Sequence, residues 1–245
     1  MKKYIMVLLT SSILLLLGCD SDKTGDKIKF ATFADYPPFE YQENGEIKGF
    51  DIELAQLIAK KLGKIATFEN MQFSSILPAL KNDSVDAAIA TITITKEREK
   101  NFDFSEPYYA NSMTTVFIKE KPVTNKSQLS GKKIACQLGT TMEIWLKEQH
   151  IPDAEIITMD ANNQVIEALK AGHVDVALMD GIQGIIYSQK NPHLHYAFIV
   201  QSDAGYGIAF KKGSPLKDQI NKVIKSLKSE GAIKKLQQKW LEGHK

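Results

Sequence analysis

The sequence predicts an α/β fold of two lobes, each a mixed, mostly parallel sheet flanked by helices, joined by two hinge crossings. Three observations support this prediction. Strand and helix patterns alternate along the chain from residue 27, which is typical of parallel sheets covered by helices. One helix–strand segment recurs later in the chain. Two extended stretches lie where crossings between the two halves are needed.

The elements of the first half follow one another with short connections. FDIELAQLIAKKLG at 50–63 carries apolar residues at helical spacing and ends at Gly63, a residue that favours helix termination. TITIT at 91–95 alternates hydroxyl and aliphatic side chains with the period of a strand, and Thr95 then stands at the N-cap of a charged helix. The predicted strands are 28–33, 66–70 and 85–95, and the predicted helices are 50–63, 73–83 and the charged run from 96.

The recurring segment indicates two similar units. ALKNDSVDAAIAT at 79–91 aligns without gaps with ALKAGHVDVALMD at 168–180, so each unit has a helix end, a turn, Val-Asp and an apolar strand. A chance likeness of two ordinary helix–strand units is the alternative. The strand, Gly-Thr-Thr turn and helix of 130–146 would open the second unit.

Two extended stretches, 107–122 and 202–213, are suited to crossing between lobes. Two short helices then close the chain, with Trp240 as a packing anchor. We expect one lobe to comprise residues 27–110 and 207–245, and the other to comprise residues 111–206 with the hinge strands. In open α/β sheets, ligands bind outside the carboxyl ends of the strands, so we expect a site in the cleft between the lobes.

The N-terminus is predicted to be an export signal. Two lysines precede a 13-residue apolar run at 5–17, too short to span a bilayer, which needs ~20 residues, but typical of a signal peptide. A buried core helix is the alternative. The run ends in LLGC, which resembles a bacterial lipobox. We expect a signal peptide at 1–18, lipidation of Cys19, a tether over 19–26, and an exported protein anchored at the periplasmic or cell-surface face. Asp20 resembles a signal that retains lipoproteins at the inner membrane.

Composition excludes several classes of function. The formal net charge of +2 falls to about zero once Lys2 and Lys3 are removed with the signal, and basic and acidic residues are interspersed, so we expect no nucleic-acid partner. The five histidines have no metal-ligand spacing, and no phosphate-binding loop is present, so we expect no metal and no cofactor. Cys136, the one cysteine left after Cys19, is expected to be a buried strand residue, with a catalytic thiol as the alternative.

Arg98 stands near a helix N-terminus, where the helix dipole disfavours a cation. Its neighbours at three and four residues are not acidic, and adjacent glutamates do not face it on a helix. A guanidinium beside free backbone N–H groups is a receptor for a carboxylate, to which Thr91 and Thr93 would add hydroxyl donors. Solvation of Arg98, or a pair with a distant acid, is the alternative.

Further candidate ligand-binding residues lie at or just after the ends of predicted strands. Thr140 or Thr141 caps the helix after the Gly-Thr-Thr turn, and Asp180 ends a strand as a candidate partner for an ammonium group. An ordinary cap and an ordinary Asx-turn are the alternatives. Tyr36 and Phe73 follow the first two strands and are candidate aromatic walls, although either could be core. A carboxylate receptor, an acid and aromatic walls together indicate a pocket for a free α-amino acid.

The chain resembles the bacterial extracellular solute-binding proteins that deliver polar amino acids to ABC transporters. The resemblance covers essentially all of the chain after the signal, through ordered landmarks that include ATFADYPPFE, GFDIELAQLIAKKLG, TITITKEREKNFDFSEPYY, LSGKKIACQLGTT, LKAGHVDVALMD and YGIAFKKGSPL. It implies the periplasmic-binding-protein fold, in which two lobes close around the ligand, and an ABC permease as partner.

The resemblance also implies a role for each site residue. Arg98 would bind the α-carboxylate with help from Thr91 and Thr93, and Thr140 and Thr141 would reach the same carboxylate from the other lobe. The α-ammonium would fall to Asp180, and the side chain would lie between Tyr36 and Phe73.

Phe33 is a departure, because many members for cationic or amide side chains have an acid there. Asp35, Glu40 or Asp51 could substitute, or Phe33 could stack on a guanidinium. The phrases YPPFE and PYYANS are most similar to arginine-binding members, which favours arginine or another basic amino acid. Glutamine or another polar amino acid is the alternative. We expect a monomeric binding protein rather than an enzyme, with a dehydratase or a sensory module on the same fold as rivals.

Overall fold

The computed structural model describes residues 26–242, and gives only the backbone of residue 111 and of residues 201–203. The predicted signal peptide, Cys19 and nearly all of the tether lie outside the described residues. No helix within residues 26–242 is both long and apolar enough to span a membrane.

Two five-stranded sheets organise the chain, and the strand order of the second repeats that of the first. The strands are β1 (Lys27–Thr32), β5 (Ile65–Asn70), β6 (Ala87–Ala88), β7 (Phe102–Phe104), β13 (Ala209–Lys211), β8 (Tyr109–Ile118), β9 (Lys133–Gln137), β10 (Glu155–Met159), β11 (Val176–Asp180) and β12 (Leu194–Tyr206). The first sheet has the order β5-β1-β6-β13-β7 and the second β10-β9-β11-β8-β12. In both, three strands pair in parallel and the last two pair antiparallel, so the sheets are mixed.

A small third sheet, eight α-helices and a 3₁₀ helix at Lys126–Leu129 complete the described fold. The small sheet consists of β2 (Asp35–Tyr36), β3 (Glu40–Glu43) and β4 (Glu46–Lys48). The helices are α1 (Phe50–Lys61), α2 (Phe73–Lys81), α3 (Lys96–Glu99), α4 (Thr141–Glu148), α5 (Asn162–Lys170), α6 (Gly181–Lys190), α7 (Leu216–Ser229) and α8 (Ala232–Leu241).

Apolar side chains from both faces of each large sheet form the cores. One cluster joins the first sheet to α1, α2, α7 and α8, and two smaller clusters lie against the second sheet. Trp240 packs edge-on against Tyr41, and its indole N–H donates to Glu53 at 2.8 Å. These contacts hold α8 against α1 and the small sheet.

The strand predicted at 85–95 is the main error of the sequence-based assignment. Regular pairing covers only β6, and three residues later the backbone of Thr91 adopts the left-handed region with φ +47°. Thr93 retains a single bridge to Tyr206. The charged helix after it is also short, with four residues, although Thr95 is its N-cap as predicted.

Candidate functional site

The candidate site is a cavity between the two large sheets, at the ends of β6, β9 and β11. Its volume is about 20 Å³. Eight of the nine predicted ligand-binding residues line it, together with two residues that were not predicted: Tyr36, Phe73, Thr91, Thr93, Arg98, Thr140, Thr141 and Asp180, with Gln137 and Met142.

Arg98 is a buried cation, with 7% of its surface exposed. Its guanidinium donates to the carbonyl oxygens of Thr93 at 2.8 Å and Gly139 at 3.0 Å, and its carbon lies 6.0 Å from the centre of the Phe73 ring. Among the described residues it makes no hydrogen bond or ion pair with an acidic side chain. Burial lowers the pKa of Arg98 to about 10. Arg98 is therefore not solvated, and the distant acid that acts on its charge is Asp180, without a hydrogen bond or salt bridge between the two side chains.

The turn before α4 faces Arg98 from the second sheet. Thr140 is the N-cap of α4, and its hydroxyl donates to the Gln137 carbonyl at 2.7 Å. The Gly139 N–H donates to the Glu143 carboxylate at 2.7 Å, which fixes the turn that presents the Gly139 carbonyl to Arg98. Thr141 lines the cavity beside it.

Asp180 supplies the acid of the cavity. It is 7% exposed, and the hydroxyls of Tyr36 and Tyr206 donate to its carboxylate, whereas its Oδ1 accepts no hydrogen bond from the described residues. Although it stands at the N-cap of α6, its side chain makes no capping hydrogen bond. Burial raises the pKa of Asp180 to about 6, and the tyrosine hydroxyls and Arg98 oppose that rise.

The two aromatic candidates, Tyr36 and Phe73, differ in how deeply they are buried, but both line the cavity. Tyr36 is almost fully buried in the first core, yet its hydroxyl reaches Asp180 across the cavity. Phe73 is partly buried at the start of α2 and packs on Arg98. Both residues thus belong to the core and to the cavity wall.

Phe33 does not line the cavity. It lies in a neighbouring groove with the acids Asp35, Asp160 and Glu167, where Asn163 donates to Asp35 at 3.0 Å. The other two acids considered for the ligand side chain, Glu40 and Asp51, are fully buried outside both the cavity and the groove.

Gln137 and Met142 were missed by the sequence reasoning. Gln137 is the last residue of β9, so the rule that selected Asp180 at the end of β11 would also have selected it. Met142 follows the Gly-Thr-Thr turn, and its apolar side chain gave no signal of its own.

No metal or thiol chemistry is evident in this region. Within residues 26–242, no group of three His, Cys, Asp or Glu side chains is arranged to hold a metal ion. Cys136 is fully buried, and burial raises the pKa of its thiol to about 12, so it carries no thiolate near neutral pH. Its place in β9 is that of a small core residue, as predicted.

The chain is similar to known amino-acid-binding proteins. It is 35% identical to the arginine-binding extracellular protein ArtP of Bacillus subtilis (strain 168), with all of both chains covered. An ancestral arginine-binding protein bound to arginine has 36% identity and a TM-score of 0.84, covering 89% of this chain and 99% of the other.

Two further structures widen the comparison. The same kind of ancestral protein bound to glutamine has 36% identity and a TM-score of 0.83, covering 89% and 98% of the two chains. An ancestral amino-acid-binding protein described as a precursor of cyclohexadienyl dehydratase has 33% identity and a TM-score of 0.80, covering 88% and 96%.

The family of bacterial extracellular solute-binding proteins, family 3, matches residues 28–243. That match spans nearly the whole chain after the predicted signal and tether, and it agrees with the two-lobed α/β fold. The chain therefore belongs to family 3 of the bacterial extracellular solute-binding proteins.

Proposed function

We propose that this protein binds free L-arginine or another basic amino acid between its two lobes and delivers it to an ABC importer. The observation that carries the proposal is a buried cation and a buried acid in one cavity. Arg98 has no acidic hydrogen-bond partner among the described residues, and Asp180 has an oxygen without a donor. An α-amino acid carries a carboxylate and an ammonium group that complement both.

In this proposal the α-carboxylate binds Arg98, Thr91 and Thr93 from one lobe and Thr140 and Thr141 from the other. The α-ammonium binds Asp180. The ligand side chain lies between Tyr36 and Phe73 and extends towards Phe33. These roles are supported by the common cavity that eight of the nine residues line, with Phe33 in the neighbouring groove.

A basic side chain is supported by the groove that contains Phe33. Its titratable lining residues are Asp35, Asp160 and Glu167, and no lysine or arginine of the described residues lines it. Asp35 directly precedes Tyr36 in β2, so the groove begins one residue from the cavity wall. Relatives and structural neighbours named for arginine support the same ligand, and the glutamine complex makes glutamine the alternative.

Closure of the lobes is the proposed mechanism, with residues 27–110 and 207–245 as one body and residues 111–206 as the other. Contacts between elements of the two sheets already lie around the cavity. The guanidinium of Arg98 donates a hydrogen bond to the Gly139 carbonyl, and the side-chain amide of Gln183 donates one to the Pro37 carbonyl at 2.6 Å. A ligand that neutralises two buried charges stabilises this closed arrangement over an open one, because unpaired buried charges are costly.

We further propose that the protein is a monomeric, exported lipoprotein, anchored through Cys19, whose closed form is recognised by a membrane permease. The family match supports an extracytoplasmic location and an ABC-transporter partner. Acylation of Cys19 would appear as an added lipid mass in the intact protein purified from membranes, and replacement by Cys19→Ala would remove it.

We propose no enzymatic activity, because Arg98, Asp180 and Tyr36 all have binding roles in the cavity. The similarity to a precursor of cyclohexadienyl dehydratase makes a dehydratase the second candidate. Incubation with prephenate or arogenate tests it, since formation of an aromatic product would contradict a pure binding role.

Calorimetric titration with matched ligands tests the proposed function. L-arginine, L-lysine and L-glutamine compare side chains. Agmatine lacks the α-carboxylate, and 5-guanidinopentanoic acid lacks the α-ammonium. We expect the basic amino acids to bind most tightly and both truncated analogues to bind at least about a hundredfold more weakly, because each leaves one buried charge unpaired. Equal affinity for agmatine and arginine would contradict the role of Arg98.

A further inference from the structure

Asp51 joins the cavity wall to one of the two connections that the described chain makes between the large sheets. It is the second residue of α1 and is fully inaccessible to solvent. Its Oδ2 accepts the backbone N–H of Thr91 at 2.9 Å and the hydroxyl of Tyr108 at 2.8 Å. A single carboxyl oxygen therefore contacts one residue that lines the cavity and one that lies outside it.

Tyr108 belongs to the first of these connections. The chain leaves the first sheet after Phe104, the last residue of β7, and enters the second sheet at Tyr109, the first residue of β8. The return connection runs from Tyr206, the end of β12, to Ala209, the start of β13. The N–H of Tyr108 donates to the carbonyl of Tyr206 at 2.9 Å, so the two connections are bonded to each other. The hinge of the proposed closure lies in this pair of connections.

The segment that follows Thr91 also contacts the return connection. Thr93 forms a bridge with Tyr206, and the carbonyl of Thr93 accepts the guanidinium of Arg98 at 2.8 Å. The cavity wall is thus joined to the connections at two places, by this bridge and by Asp51.

Thr91 has a backbone conformation that needs support. Its φ of +47° lies in the left-handed region, where a β-branched residue is an outlier. Such a conformation persists only where surrounding contacts hold it. The hydroxyl of Thr91 donates to the carbonyl of its own neighbour, Ala90, at 2.8 Å. The bond from its N–H to Asp51 comes from 40 residues away and supplies the support that the local sequence lacks.

We propose that Asp51 is a positioning residue that holds Thr91 in the cavity wall and ties this wall to the connection at Tyr108. The inference rests on the amino-acid-binding function proposed above. Thr91 and Thr93 then meet the ligand's α-carboxylate in one arrangement each time the lobes close. Without the acceptor oxygen of Asp51, the backbone of Thr91 returns to negative φ, which displaces the wall that binds the carboxylate.

Calorimetry with L-arginine tests this role in two variants of the same position. Asp51→Asn keeps a side-chain carbonyl as the acceptor and should bind arginine within about threefold of the wild type. Asp51→Leu removes the acceptor and should bind arginine at least about tenfold more weakly, because the buried N–H of Thr91 loses its partner. Equal affinity of Asp51→Leu and the wild type would overturn the proposal.

Asp86 offers a matched control. Its carboxylate also accepts a backbone N–H of the first sheet, that of Lys29 at 2.8 Å, but it does not line the cavity. Asp86→Ala should therefore lower stability without changing arginine affinity by more than about twofold. A loss of affinity as large as that of Asp51→Leu would show that any weakened strand has this effect, and would overturn the specific role of Asp51.

A double-mutant cycle with Thr91→Gly separates positioning from a general loss of stability. Glycine adopts positive φ without steric cost, so it needs no partner to hold it there. Asp51→Leu should lower arginine affinity at most about threefold in the Thr91→Gly background, against about tenfold or more in the wild type. Equal losses in both backgrounds would overturn the proposal. If the leucine variant does not fold, Asp51→Ser, whose hydroxyl is too short to reach both donors, replaces it with the same expectations.

Tyr108→Phe tests the tie to the connection. It removes the hydroxyl that donates to Asp51 and keeps the ring, which stacks on Phe50 with 6.0 Å between the ring centres. The bond from Thr91 to Asp51 remains, so arginine affinity should fall by only about two- to fivefold. Unchanged affinity would overturn the tie to Tyr108.

Hydrogen exchange of the Thr91 amide, followed by NMR in the ligand-free protein, separates this proposal from the proposed function. The amide should exchange at least about tenfold faster in Asp51→Leu than in the wild type and Asp51→Asn, whether or not a ligand binds. The same rate in all three overturns the positioning role alone. A wild type that protects this amide but binds no amino acid instead contradicts the proposed function.

Discussion

The two helix–strand units that repeat in the sequence have the same scaffold, but one leads to a cation and the other ends in an acid. Asp86 and Asp175 occupy equivalent positions before β6 and β11, and each accepts a backbone N–H of the adjacent parallel strand at 2.8 Å. Their last residues are Thr91 and Asp180, and both line the cavity. After Thr91 the chain continues to the cation Arg98, whereas Asp180 leads directly into α6.

This difference shows how a repeated unit can make an asymmetric site. The parallel strands bring both unit ends to the same cavity, so the scaffold fixes their proximity. The residues at those ends then give one side an anion receptor and the other side an acid. A zwitterion such as a free amino acid complements this arrangement better than a ligand with a single charge.

The largest loss of arginine affinity is expected from replacement of Arg98, the cation of the cavity. Arg98→Ala should weaken arginine binding by roughly 2–5 kcal/mol, about 30-fold to several thousandfold, because the ligand carboxylate loses its buried partner. Lys100→Ala changes an exposed cation directly after the same helix and should leave affinity within about twofold. Unchanged binding by Arg98→Ala in calorimetry would refute the carboxylate assignment.

Neutralisation of the acidic end should have the next largest effect. Asp180→Asn keeps the size of the side chain but removes the charge that faces the ligand ammonium, so arginine should bind about 10- to 100-fold more weakly. The desamino analogue, 5-guanidinopentanoic acid, serves as the control, because it has no ammonium to lose. An equal loss for both ligands would show that Asp180 acts through the fold instead.

The pH dependence of arginine binding should depend on the ionisation of Asp180. The pKa of Asp180 is raised to about 6 in the free protein, and a bound ammonium should lower it. Affinity is therefore complete above about pH 6 and declines as the pH falls, by up to about tenfold per unit. Calorimetry from pH 4.5 to 7.5 measures this decline, which Asp180→Asn should flatten. A decline of the same slope in that variant would exclude Asp180 as its source.

The smallest expected effect is a loss of stability when the equivalent residues Asp86 and Asp175 of the two units are replaced. Asp86→Ala and Asp175→Ala each remove one hydrogen bond to a strand N–H, and each should lower the free energy of unfolding by about 0.5–1.5 kcal/mol. Urea denaturation measures both, and arginine affinity should stay within about twofold. A loss much larger in one variant than in the other would contradict the structural equivalence of the two units.

Local sequence patterns predicted most of the fold for a physical reason. The helix at 50–63 and the repeated helix–strand units depend on side-chain periodicity and on terminating residues such as Gly63, which act over a few positions. The rule that ligand groups follow parallel strands, together with the unpaired cation near a helix N-terminus, selected eight residues of the cavity, and the rule was not applied to Gln137. Their roles in binding remain predictions.

The failures arose where distant contacts outweigh local preference. TITIT has the pattern of a strand, yet Thr91 adopts a left-handed conformation that Asp51, 40 residues away, holds through its carboxylate. The alternation still served to orient the segment, since Thr91 and Thr93 line the cavity while Ile92 is buried in the core. Phe33 was expected in the pocket but lies in the neighbouring groove.

The sequence by itself determined the two similar α/β units, the cation at Arg98 and the acid at Asp180, because each follows from a pattern within a short segment. Only the tertiary structure decided that Arg98 is buried against carbonyl groups, that Thr91 leaves the strand, and that the buried Asp51 accepts the backbone N–H of Thr91. Burial and contacts between distant elements set these features, and neither is encoded in the spacing of neighbouring residues.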